Sequence, residues 1–127
     1  MRIEITTPNH SFTAELFDTP TGGAILATLP FEGNASTWGD EIYFGTAAVA
    51  QLEHDASDVV SVGDLAYWPP MPAFCIFFGA TPASRADEPR AAAKVNVFGR
   101  LSEVELDQLR SVRDGDKIVV KLVDRDA

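Results

Sequence analysis

Apolar side chains recur at every second position over several short runs of this chain, the period of a strand with one buried face. Residues 2–6 read Arg-Ile-Glu-Ile-Thr, and residues 117–123 set Ile118, Val120 and Leu122 on one side. Residues 73–78, Ala-Phe-Cys-Ile-Phe-Phe, are apolar without a break. They are entered through Pro69, Pro70 and Pro72 and left through Gly79 and Pro82, and proline does not sit in a central strand. Such a run predicts a strand buried on both faces, with Phe74, Ile76 and Phe78 pointing one way and Cys75 and Phe77 the other. Pro70 or Pro72 is the candidate for a cis bond at the entering bend.

The remaining elements follow from turns and breakers. Residues 2–6 and 11–17 predict a hairpin turning at Pro8-Asn9-His10. Asp18 or Thr19 followed by Pro20 predicts a helix start, and apolar residues from Ala24 to Leu29 carry that helix to Pro30. Strands are expected at 31–37, 41–44, 58–62, 65–68 and 95–100. Residues 45–58 read either as a short helix around Ala47–Leu52 or as an excursion between strands. Ser102 with Glu105 three residues later predicts a capping box and a second short helix. Residues 80–90 read as a loop, and 124–127 as a loose tail. Many short strands, two short helices and no βαβ alternation describe one mainly β domain over 1–127, a barrel rather than a parallel sheet.

Composition narrows the partners. The chain has 127 residues and a net charge of −9, a field that repels nucleic acid and anionic membranes. No apolar run reaches the roughly 20 residues of a membrane span. Glu4 stands where a signal peptide would be apolar, so a soluble, cytoplasmic protein is expected. Cys75 is the one cysteine, and His10 and His54 are isolated, so neither a disulfide nor a zinc set is expected; no cofactor is called for.

The order Pro-Phe-x-Gly-x-Ala (30–35), Thr-Trp-Gly-Asp-Glu-Ile-Tyr-Phe (37–44), Val-x-x-Gly-Asp-Leu-Ala-Tyr-Trp-Pro (60–69), Phe-Cys-Ile-Phe-Phe-Gly-x-Thr-Pro (74–82) and Val-Asn-Val-x-Gly (95–99) resembles a family. It is similar to the small prokaryotic cyclophilin-like proteins of unassigned function, over nearly the whole chain. The resemblance implies a closed cyclophilin-like β-barrel of about eight strands with helices over its ends. Larger relatives of this barrel are subunits of bacterial amide- and lactam-processing enzymes. Cyclophilins themselves carry Phe-His-Arg, Phe-Met-x-Gln-Gly-Gly-Asp and Trp-Leu-Asp-Gly runs on their catalytic face. None of these occurs here, so no isomerase residue carries over to any position.

Candidate chemistry gathers at strand ends. Trp38-Gly39-Asp40-Glu41 reads as a turn capping the barrel, or as an indole beside two carboxyl groups, one of them partly buried and shifted in pKa. Tyr67-Trp68-Pro69-Pro70 reads as a barrel rim or as an aromatic groove for an extended peptide. Cys75, in the most apolar strand, reads as a small buried hydrophobe rather than a nucleophile. Arg90 reads as a surface ion pair, or as a partner of Asp40 or Glu41 across a cleft. Asn96 reads as a buried polar group bonded to backbone. The expected cleft is lined by Trp38, Glu41, Tyr43, Tyr67, Trp68 and Arg90. Nothing resembles a nucleophile–base pair, a metal set or a phosphate loop. The favoured function is a binding module for a peptide or small ligand. The alternative is an enzyme, either an atypical prolyl isomerase or a small-molecule enzyme with Glu41 or Asp40 as acid or base.

Overall fold

The architecture is described from a computed structural model, over residues 1–123. Ten strands and two helices follow one another as β1 (Arg2–Thr6), β2 (Ser11–Leu16), α1 (Pro20–Leu26), β3 (Phe31–Asn34), β4 (Ser36–Thr37), β5 (Glu41–Gly45), β6 (Ser57–Val59), β7 (Asp64–Trp68), β8 (Ala73–Phe77), β9 (Arg90–Leu101), α2 (Leu106–Arg110) and β10 (Lys117–Leu122). The tail expected at 124–127 lies outside the described residues. The strands form one antiparallel path, β3-β10-β1-β2-β9-β7-β8-β5-β4, with β6 attached to β9.

This is not the closed eight-stranded barrel that the sequence suggested. The hydrogen-bonded path has two ends, β3 and β4, and with β6 the sheet has ten strands rather than eight. The difference arises at Ala35. The expected strand 31–37 divides there: β3 pairs with β10, and β4 pairs with β5. The Ala35 N–H donates to the Asp116 carbonyl, and its own carbonyl accepts from Gly115 N–H. The ends of the curled sheet are therefore joined by the chain itself, not by a ladder.

Other boundaries move for similar reasons. α1 is capped by Thr19, whose side chain accepts from Gly22 N–H, and it stops at Leu26 rather than near Pro30. The capping box at Ser102 does not form. Ser102 still donates its N–H to Thr13 of β2, so the chain is in the sheet there, and the second helix starts after Glu105. Residues 46–56 take the excursion reading, without helix or strand. β9 begins at Arg90, five residues before its expected start, because its first half pairs with β6. Cis bonds precede Pro30 and Pro72.

The sheet separates two buried clusters. Ile42, Phe44, Leu65, Tyr67, Phe74, Ile76 and Phe98 share the inner one with Ile3, Ile5, Ile118 and Val120. Phe74 stacks on Phe44 (ring centroids 4.8 Å apart) and meets Phe98 edge-on at 5.0 Å. Each such ring contributes about 1.5–3 kcal/mol by leaving water. A bulge keeps Phe98 inside: Leu65 faces Gly99 while Ala66 faces Val97, so β9 carries one extra residue. Gly99 must be glycine, since a Cβ there would lie 2.5 Å from the Glu15 carbonyl oxygen. The outer cluster is made of smaller side chains, among them Ala66, Ala73, Cys75, Ala91 and Val95, together with Phe77. Along β8 the two sets alternate as expected, Phe74 and Ile76 with the inner cluster, Cys75 and Phe77 with the outer, all buried.

Candidate functional site

The outer face carries the cleft. It has a free volume of about 180 Å³ and is lined by Trp38, Glu41, Tyr43, Trp68, Ala73, Cys75, Ala91, Ala92 and Val95. Period two selects these residues on β5 and β8, while the irregular first half of β9 brings both Ala91 and Ala92 to the cleft. On β5 the outward positions are Glu41 and Tyr43, which face Phe77 and Cys75 of β8. Trp68 lies at the end of β7 opposite Ala73. Ala91, Ala92 and Val95 come from the first half of β9, the part held by β6.

Trp38 is placed by a locked turn. Its N–H donates to the Glu41 carbonyl at 3.0 Å, closing the link between β4 and β5. Gly39 has φ +62°, and a Cβ there would meet Thr81 Cα at 2.8 Å and the Ala80 carbonyl oxygen at 2.9 Å. Asp40 donates its N–H to Ala80, and its carbonyl accepts from Phe78 N–H. Its carboxylate is bound by Arg110 of α2 at 3.0 Å, and Asp40 is not a wall of the cleft.

Glu41 is the chemical centre. Its side chain belongs to a residue only 7% exposed, and burial pushes its carboxyl pKa up to about 7. The Cys75 thiol, a diagonal neighbour across the β5–β8 ladder, opposes part of that rise. In return, burial and the carboxyl group push the thiol pKa well up, which disfavours the thiolate form. Among the described residues no cation pairs with Glu41. Nor does any group of three or more His, Cys, Asp or Glu side chains come together as a metal site. Among the described residues no helix is long and apolar enough to cross a membrane.

Two residues expected in the cleft are elsewhere. Tyr67 is 2% exposed in the inner cluster, and its hydroxyl donates to the Ala48 carbonyl at 2.8 Å. Grouping Tyr67 with Trp68 placed adjacent strand residues on one face, which alternation forbids. Arg90 does not reach Asp40 or Glu41 as partner. Its guanidinium binds Asp58 at 2.9 Å and Glu88 at 3.0 Å. Glu88 also accepts from the N–H groups of Arg85 and Ala86, and these bonds hold its pKa at about 2. Arg90 therefore fastens the 80–90 loop to β6. Asn96 is bonded to backbone as expected, donating to Gln51 and accepting from Glu53 N–H, and it also donates to the Thr21 hydroxyl. Cys75, read from the sequence as a small buried hydrophobe, and the alanines of β9 are walls of the cleft that the sequence did not place there. Finding them needs the strand register, since only pairing sets Cys75 beside Glu41.

The fold and the cleft define a small β-sheet domain with one acid among aromatic walls. A family model described as cyclophilin-like matches residues 1–121, and the chain belongs to that family. It is similar to the solution structure of the hypothetical protein AF2241 from Archaeoglobus fulgidus, with 40% identity and a TM-score of 0.79 over 97% of this chain and 95% of that one. It also shares its fold with McbB, solved in complex with tryptophan, at 12% identity and a TM-score of 0.67. That match covers 96% of this chain but 46% of McbB. No curated protein matches the chain.

Proposed function

We propose that the protein is a binding module for a small ligand, held in the outer cleft between Trp38, Tyr43 and Trp68 and oriented by Glu41. One observation carries this reading: three half-buried rings and a nearly buried carboxyl group line the same hollow. Apolar walls with one convergent polar group are what a small-molecule site needs. A volume of about 180 Å³ suits a small organic molecule or one inserted side chain better than an extended peptide. Prolyl isomerisation has no support in the chain, and a protease-coupled proline-peptide assay is expected to give no rate above background.

A second reading, proton transfer by Glu41 on an amide or lactam, is favoured by one fact. A carboxyl group with pKa about 7 is poised to give and take a proton near neutrality. Asp40, tied to Arg110, is the weaker candidate for that role.

A thermal-shift screen of small metabolites on the full chain tests the module. Hits are expected to lose their stabilisation in Trp68→Ala, and in Ala92→Trp, which fills the cleft from an exposed position. Hits that survive both substitutions would place the ligand elsewhere.

A further inference from the structure

Three aromatic rings and one acid share the cleft, and no lysine, arginine or histidine shares it with them. Lys94, next to the wall residue Val95, is exposed and does not line the cleft, and three arginines are engaged elsewhere. Arg90 is bound by Asp58 and Glu88, Arg110 by Asp40, and Arg100 by Asp64 at 2.9 Å. An ionised Glu41 therefore has no protein counter-charge among the described residues. Aromatic faces carry a negative quadrupole and attract cations, most strongly where water is excluded. The chain's net charge of −9 draws in cations as well. Three independent features thus select the same charge.

We propose that the ligand is a small organic ammonium ion, with Glu41 as its counter-ion and Trp38, Tyr43 and Trp68 as the walls around its alkyl groups. The proposal rests on the binding-module reading and names the ligand class for that site. An anion would meet both the carboxylate and the rings unfavourably. A neutral molecule of the same shape would gain the ring contacts and leave the buried carboxyl group without a partner.

Proton and ligand then compete for Glu41. The ionisable groups facing it are the Cys75 thiol from β8 and the Tyr43 phenol from β5. The other walls, from β7 and β9, present Trp68, Ala91, Ala92 and Val95. With the carboxyl titrating at about 7, ammonium binding at pH 5.5 must first displace a proton. Affinity is expected to fall about 30-fold between pH 8.5 and pH 5.5, the fraction ionised at 1.5 units below the midpoint.

Choline and its neutral isostere 3,3-dimethyl-1-butanol separate charge from shape. Both are titrated into the full chain by tryptophan fluorescence and calorimetry at pH 8.5 and 5.5, and into Glu41→Gln. Choline is expected to bind at least about tenfold tighter than the alcohol at pH 8.5, a preference lost at pH 5.5 and in Glu41→Gln. The pH arm needs no variant, so it stands whatever the substitution does to folding. Equal affinity for the two probes at pH 8.5 overturns the ammonium proposal and leaves the module intact. Binding of neither also overturns it, and the metabolite screen then decides the module separately. Choline binding that is unchanged in Glu41→Gln removes the carboxyl group from the account.

Discussion

β8 presents two faces, both buried and differently filled. Inward, Phe74 and Ile76 meet rings and branched chains, with Phe74 stacked 4.8 Å from Phe44. Outward, Ala73 and Cys75 meet alanines of β9 and leave about 180 Å³ open between larger rings at the rim. The contrast teaches that burial does not by itself mark a core. What decides is whether the side chains opposite are large enough to fill the space between them. Inside they are. Outside, a row of small residues framed by Trp38, Tyr43 and Trp68 makes a hollow, and Glu41 is the polar group within it.

The sharpest way to break this comparison is to truncate each face in turn. Phe74→Ala removes a ring packed against three others and is expected to cost about 3–5 kcal/mol in denaturant unfolding. A loss near that size for Cys75→Ala would show that the outer face is core as well.

The second effect separates the faces by pH. The folded pKa of Glu41, about 7, lies above its ordinary value of 4.5. The native state therefore holds a proton that the unfolded chain has already released between those two values. Stability falls as pH rises from about 4.5 to about 7, by up to roughly 3 kcal/mol in this one group, and the cost remains fully present above 7. Glu41→Gln is expected to flatten that part of the curve and to raise the melting temperature at pH 8. Glu88 acts oppositely and at lower pH. Its depressed pKa gives stability that is present above its ordinary 4.5 and lost as pH falls towards 2, so the two groups are resolved in one pH series.

Much of the sheet was legible because alternation and turn residues are local. The strand at 73–78, with its two sets of side chains, follows from the sequence of that segment alone. So do the β1–β2 hairpin and the polar role of Asn96. Pairing is not local. Nothing in residues 31–37 announces that Ala35 passes the chain from β10 to β5, because the cause is the Gly115–Asp116 turn about 80 residues away. The same holds at the site. Trp38, Glu41, Tyr43 and Trp68 were named from residue type at strand ends. The Glu41–Cys75 contact depends on the β5–β8 register, and Arg90 is taken by Asp58, 32 residues distant.

Smaller effects sharpen the picture around the cleft. Asn96→Ala strands the Glu53 N–H and the Gln51 carbonyl, and is expected to cost about 1–3 kcal/mol. Hydrogen exchange is expected to speed up over 46–56, which Tyr67 and Asn96 tie down, and not on β8. Cys75→Ala is expected to cost about 1 kcal/mol or less, while raising the Glu41 midpoint by removing the neighbouring thiol.

We propose that Glu41, unpaired by any cation among the described residues, governs what enters the apolar cleft. This is tested most directly by following the Glu41 side-chain carboxyl carbon by NMR in the free full-length chain as pH is raised, then repeating the titration with choline. The account predicts a midpoint near 7 that moves down when choline is bound. A midpoint near the ordinary 4.5 in the free protein, unmoved by choline, would contradict it.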